Sequence, residues 1–223
     1  QYSDLIITLT DALNKMINFK NRLRCHLCFL FLLLFSGNLY AAGTLLILGD
    51  SLSAGYRLPA GEAWAAQLGQ RWQQAGNGIT LINGSISGNT AAQGLARLPA
   101  LLEQHRPQWV LIELGANDGL RGLPLTQTRT DLQAAIDAVK AAGAKPLLMQ
   151  IRIPPNYGKR YTDRFSALYP ALAQENAVPL IPFYMEAVVT NPQWIQDDGI
   201  HPNAAAQPYV TDWMDKTLLP YLQ

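Results

Sequence analysis

Five short apolar runs constrain the fold of this chain more than any other feature: "TLLILG" (44–49), "ITLIN" (79–83), "WVLIEL" (109–114), "PLLMQI" (146–151) and "VPLIPF" (178–183). None alternates with polar residues, which is the pattern of strands covered on both faces rather than one. Between them lie stretches whose apolar residues recur with helical spacing, at 63–74, 90–105, 126–142 and 165–176, and a last one near 204–222. Strand and helix therefore alternate throughout, which predicts an α/β chain: a mainly parallel five-stranded sheet with helices on both faces, a three-layer α/β/α sandwich of flavodoxin-like shape. Gly76 and Gly143 fall where helix C-caps are expected, and Pro107, Pro146 and Pro179 fall just before or at strand starts. With 49% hydrophobic and 15% charged residues in 223, there is material for one well-filled core. No linker, repeat or low-complexity stretch interrupts the run from Ala42 to Gln223, which is read as one domain.

The first 41 residues are set apart from it. Lys20, Arg22 and Arg24 precede the apolar run "LCFLFLLLF" (27–35), and the small, polar stretch "SGNLYAAG" follows. That is the order of a secretory signal, with cleavage expected after Ala41 and Met16 as a plausible translation start. The run is about half the ~20 apolar residues a bilayer-spanning helix requires, so no stable membrane anchor is expected. Both cysteines, Cys25 and Cys28, lie in this segment around His26 and only imitate a metal or redox motif; the mature chain has none and needs no disulfide in an oxidising compartment. The leader carries four basic and two acidic residues, so the net charge of +1 for the whole chain becomes −1 for the mature one. Without a basic excess, nucleic acid is not an expected partner. The expected location is periplasmic or secreted, and a monomer is expected.

In an open parallel sheet the active crevice lies beyond the carboxyl ends of the strands. The unusual residues of this chain stand there. The first run ends in Gly49-Asp50-Ser51-Leu52, the second leads into "NGSISGNT" (83–90), the third ends in "GAND" (115–118), and "DDGIHPN" (197–203) precedes the last helix. These four segments bring a hydroxyl, backbone donors, a side-chain amide, a carboxylate and an imidazole, which is the inventory of acyl transfer. A serine at the end of a buried strand, followed by residues able to start a helix, presents its hydroxyl to the crevice, and Ser51 is the candidate nucleophile. It is no GxSxG elbow, having no glycine two residues later. A serine needs a base near neutral pH; His201 is the candidate, and Asp198, three residues earlier, can orient its imidazole across a turn. Asp197 is a rival by proximity. His105, at a helix end, reads as a surface residue.

The GDSL tetrapeptide, the isolated Gly88, the GxND segment and the DxxH spacing resemble, in order, the four blocks of the GDSL or SGNH hydrolase family. The resemblance spans nearly the whole mature chain and implies the SGNH hydrolase fold, with Ser51, Asp198 and His201 as catalytic triad. It also implies an oxyanion hole formed by the Ser51 and Gly88 backbone and the Asn117 side chain. The chemistry agrees: glycine permits close backbone approach, and a neutral amide donates without adding a competing charge. Asp50, Asn89 and Asp118 are expected to brace these loops. No HExxH, GxGxxG or GxxxxGKS pattern occurs, so neither metal nor cofactor is expected. The expected activity is hydrolysis of fatty acyl thioesters and carboxylic esters, acyl-CoA, lysophospholipid and aryl esters among them, through an acyl-Ser51 intermediate. The alternatives are a carbohydrate O-acetylesterase of the same family and a non-catalytic binding domain of the same shape. Two loops, "GLRGLPL" (119–125) and "IRIPPNYG" (151–158), supply Leu120, Leu123, Ile153, Pro154 and Tyr157 as candidates for an acyl groove, unless they merely pack along the sheet edge.

Overall fold

The computed structural model describes residues 43–222. The expected secretory segment at 1–41 lies outside the described residues.

Five strands, β1 (Gly43–Gly49), β2 (Ile79–Asn83), β3 (Trp109–Glu113), β4 (Lys145–Met149) and β5 (Leu180–Ile181), form one sheet in the order β2-β1-β3-β4-β5. Every neighbouring pair is parallel. The central strands β1 and β3 are covered on both faces: Leu45–Leu48 and Val110–Ile112 are fully buried, which is why their sequences show no alternation. After β1 the chain winds outward to β2 and then returns to the other side for β3. The junction of β1 and β3 is therefore the switch point at which a crevice opens beyond the strand ends.

The helices that shape this crevice are α1 (Ser51–Ala54), α2 (Trp64–Ala75), α3 (Ala91–His105), α4 (Ala116–Leu120), α5 (Leu125–Ala141), α6 (Lys159–Asn176), α7 (Met185–Val188) and α8 (Gln207–Leu218). On one face, α2 packs on α8 and β2; on the other, α5 packs between α3 and α6. Apolar stripes carry the packing, with Trp64, Leu68 and Trp72 on α2 and Phe165, Tyr169 and Leu172 on α6 all buried. Polar clasps fix the register of the α2–α8 layer. The Trp72 indole N–H donates to Asp215 Oδ1 at 2.6 Å, and Gln207 Oε1 accepts the Trp64 N–H at 2.8 Å. The second bond satisfies an N-terminal donor of α2, whose own N-cap, Ala63, has no side chain able to do so.

The five-stranded α/β arrangement expected from the sequence is the one observed, with two boundaries displaced for clear reasons. β5 is two residues long rather than six because Pro179 and Pro182 bracket it and neither can donate to a ladder. α6 begins at Lys159, six residues before the apolar spacing becomes visible, because none of its first six side chains is buried.

Candidate active site

Ser51 opens α1 directly after β1, and Asp50 is the N-cap of that turn, its Oδ1 accepting the Leu52 N–H at 3.1 Å. A second acceptor role belongs to Leu52 O, which receives the Trp64 indole N–H at 3.1 Å and the Tyr184 hydroxyl at 3.2 Å. The short helix is thus anchored from both sides, and the Ser51 hydroxyl is held rather than left to wander.

The segment 197–203 arrives from the far end of the sequence. An antiparallel bridge between Ile195 and Pro202 and the bond from Gln196 N–H to His201 O (2.8 Å) close it into a turn. Gln196 Nε2 ties that turn to Tyr56 O at 2.9 Å. Within it, His201 Nε2 lies 2.8 Å from Ser51 Oγ and His201 Nδ1 lies 2.7 Å from Asp198 Oδ2. Asp198 Oδ1 accepts the backbone N–H groups of Ile200 (3.0 Å) and His201 (3.1 Å), so the carboxylate cannot swing away from the ring. Partial burial pushes the Asp198 carboxyl up, but the Ile200 N–H, the imidazole and the His201 N–H outweigh it and hold the group below the usual carboxylate range. The Tyr56 ring stacks at a tilt on the imidazole, with centroids 4.5 Å apart. Asp198, and not the neighbouring Asp197, faces His201.

The two remaining sequence blocks meet at the same place. Gly88, at φ 80°, adopts a backbone conformation that favours glycine, and its carbonyl accepts from Arg121 Nη2 at 2.8 Å. Its N–H, like that of Ser51, has no acceptor among the described residues. Asn117 stands on α4, and its Nδ2 donates to Asp50 Oδ2 and to Asn89 O, both at 3.1 Å. Both amide hydrogens are engaged, so one bond must be shared or exchanged when a new acceptor arrives. Asp118 is buried and raised by that burial; its oxygens accept the Ala91 N–H at 2.8 Å and the Thr128 hydroxyl at 3.3 Å, which pins the start of α3 to α4. Asn89 Oδ1 accepts from Arg97 Nε at 3.0 Å. Asp50, Asn89 and Asp118 therefore tie together the loops that carry Ser51, Gly88 and Asn117.

Ser51, Gly88, Asn117 and His201 line one cavity of about 530 Å³. Its remaining wall is largely apolar. Leu120, Ile153 and Pro154 lie on it, as the sequence suggests; Leu123 and Tyr157 do not. The Leu123 carbonyl turns back to the Tyr161 hydroxyl at 3.4 Å, and Tyr157 ends a 3-10 turn and lines a separate shallow pocket with Lys159 and Arg160. In their place stand Phe183, Met185 and Val189, which the sequence reading missed. They follow the last strand, and the rule that chemistry gathers at strand ends applied to β5 as much as to β1. A second omission is Glu113, fully buried at the end of β3; the signal was a carboxylate in an otherwise apolar run.

Comparison with known proteins places the chain in a family. Residues 47–207 match the sequence model of the GDSL-like Lipase/Acylhydrolase family. The chain belongs to that family. It is 60% identical over 205 residues to the thioesterase 1/protease 1/lysophospholipase L1 of Escherichia coli K12, covering 92% of this chain and 97% of that protein. It is 50% identical over 182 residues to the arylesterase of Vibrio mimicus, covering 82% and 91%. Among solved structures, the psychrotrophic esterase EstA from Pseudoalteromonas, inhibited by monoethylphosphonate, superposes with a TM-score of 0.78 at 44% identity, covering 80% of this chain and 98% of that one. The chain is a hydrolase of the esterase and thioesterase type.

Proposed function

We propose that this hydrolase cleaves fatty acyl thioesters and carboxylic esters by a two-step acyl transfer on Ser51. The observation that carries the reading is the unbroken line Ser51 Oγ, His201 Nε2, His201 Nδ1, Asp198 Oδ2, with contacts of 2.8 and 2.7 Å, opening into an apolar cavity. His201 accepts the Ser51 proton as Oγ attacks the acyl carbon, and Asp198 holds the ring in register and stabilises the imidazolium. The tetrahedral oxyanion is received by the N–H groups of Ser51 and Gly88, which have no competing acceptor, and by Asn117 once its amide is released from Asn89 O. The imidazolium returns the proton to the departing thiolate or alkoxide. Water, activated by the same imidazole, then frees the acid.

The acyl group occupies the cavity between Leu120, Ile153, Pro154, Phe183, Met185 and Val189. Thioesters and lysophospholipids enter the proposal through the names of the Escherichia coli relative, and aryl esters through the Vibrio relative. Export to the periplasm or beyond, directed by the basic and apolar leader, is part of the same reading. Among the described residues no helix is long and apolar enough to cross a membrane.

The test is kcat/KM across p-nitrophenyl esters from acetyl to palmitoyl, in wild type and Ile153→Ser. Burial of each methylene contributes up to ~0.8 kcal/mol, so specificity should climb with chain length until the cavity is filled, and the variant should lose most of that climb. A flat or falling profile would point instead to an acetylesterase.

A further inference from the structure

Behind Ser51 lies a pair of buried carboxyls, Asp50 and Glu113, that the triad does not use. Gly49 of β1 and Glu113 of β3 are in register on adjacent strands, and the next residue of β1's path, Asp50, turns its side chain toward Glu113. Both side chains are fully buried. Every oxygen but one has a donor: Asp50 Oδ1 accepts from Leu52 N–H, Asp50 Oδ2 from Asn117 Nδ2, and Glu113 Oε2 from the Ser53 hydroxyl at 2.6 Å. Only Glu113 Oε1 receives none, although it is buried. A buried carboxyl oxygen without a donor, in a side chain paired with a second buried carboxyl, is the place for a proton. Two ionised carboxyls in contact within a dry core are strongly disfavoured, so the pair holds one proton between them.

The space for this pair is built into the tetrapeptide itself. A Cβ on Gly49 would lie 2.5 Å from Glu113 Oε2 and 2.7 Å from Ser85 Oγ. Glycine at that position makes room for the carboxyl, in addition to any role in the turn. Asp50 is the member of the pair that touches Asn117.

We propose that Glu113 is a positioning residue for the hydrolytic reaction: as a neutral acid it donates its proton from Oε1 to Asp50, fixing the Asp50 carboxylate in the orientation that holds one hydrogen of the Asn117 amide and leaves the other to pass from Asn89 O to the oxyanion. This rests on the acyl-transfer reading of the site. Burial and the neighbouring Asp50 charge both push the Glu113 carboxyl well above the usual range, and the Glu113 donor partly offsets the desolvation of Asp50. The other titratable groups that face the pair are Asp118, Tyr169 and Tyr184; burial raises all three, so none supplies a compensating positive charge. A protonated Glu113 also matters electrostatically. It keeps the charge under the oxyanion hole at one unit, where a second would oppose the developing oxyanion.

Glu113→Gln separates a neutral donor from a charged group, because its amide can donate to Asp50 and accept from Ser53. Glu113→Leu removes the donor altogether. Using p-nitrophenyl butyrate, Glu113→Gln should keep kcat within about threefold of wild type, while Glu113→Leu should lower kcat by about tenfold to a hundredfold with KM within about twofold, a fraction of the loss typical of deleting an oxyanion donor outright. Infrared difference spectra of wild type against Glu113→Gln at neutral pH should show the carbonyl stretch of a buried protonated carboxylic acid, present in the wild type alone. That measurement needs no folded leucine variant and no turnover, so it reports on Glu113 even if the acyl-transfer reading fails. A missing band, or a folded Glu113→Leu protein with wild-type kcat, would overturn the proposal, as would a Glu113→Gln protein as impaired as Glu113→Leu.

Discussion

Replacing Gly115 by alanine tests how tightly the segment bearing Asn117 is built. Gly115 links β3 to α4 at φ 108°, and a Cβ there would lie 2.2 Å from the Tyr169 hydroxyl oxygen, far inside any real contact. Alanine in this backbone region costs about 1–2 kcal/mol. The clash adds to it, because Tyr169 is fully buried and its hydroxyl donates to Leu114 O at 3.0 Å; pushing the ring aside leaves a buried acceptor without its donor, about 1–3 kcal/mol more. The expected loss is roughly 2–5 kcal/mol, and at about 2–4 °C per kcal/mol the melting temperature should fall on the order of 5–20 °C. Tyr169→Phe removes the clashing atom, and the next ring atom, Cζ at 3.4 Å, makes an ordinary contact. Urea denaturation of the wild type, both single variants and the double variant forms a cycle in which the two changes should couple favourably by about 1 kcal/mol or more. Residual kcat should recover in the double variant too, since Asn117 lies two residues on. Strict additivity, or a Gly115→Ala protein as stable as wild type, would show that the clash carries none of the cost.

Asn117→Ala should reduce transition-state stabilisation by about 2–4 kcal/mol, read as a fall in kcat at nearly constant KM; a change confined to KM would rule out the oxyanion role. Stability against pH should show carboxyls of opposite sign, Asp50 with the raised Glu113 and Asp118 on one side and Asp198 on the other. Burial raises Asp50 to about 6 from an ordinary 3.8, so its contribution is fully present below the unfolded value and is lost as pH rises through about 6. Asp198, held below the usual range, contributes above its unfolded value and loses that contribution as pH falls through the folded one. Chemical denaturation across this range should give an Asp50→Asn protein with a shallower decline between about pH 4 and 6, the raised Glu113 and Asp118 supplying what is left, and an unaltered decline there would refute the assignment.

The sheet was legible because buried parallel strands leave an unmistakable trace: Leu45–Leu48 and Val110–Ile112 have no solvent face, so no polar residue interrupts them. The same logic failed at β5, where two prolines cut the hydrogen-bonded part of an apolar run to Leu180–Ile181. Polar residues at two strand ends and in the turn before the last helix singled out Ser51, Asn117 and His201, because a hydroxyl, an amide and an imidazole placed there have little else to do. The cavity wall was only half visible. An apolar residue gives the same signal in a core as in a groove, so Leu123 and Tyr157 could not be told from Leu120 and Ile153, and nothing in the sequence set Phe183, Met185 and Val189 apart as groove residues. Glu113 was hidden by the opposite error, one charged residue discounted within an apolar strand.

The claim that Ser51 is an acylated nucleophile is tested most directly by a fluorophosphonate followed by intact mass and peptide mapping. One adduct should form, on Ser51, with activity lost in proportion to labelling. Ser51→Ala should take up none, and His201→Ala should react orders of magnitude more slowly while folding normally. Stoichiometric labelling at another residue, or turnover retained by a folded Ser51→Ala protein, would contradict it.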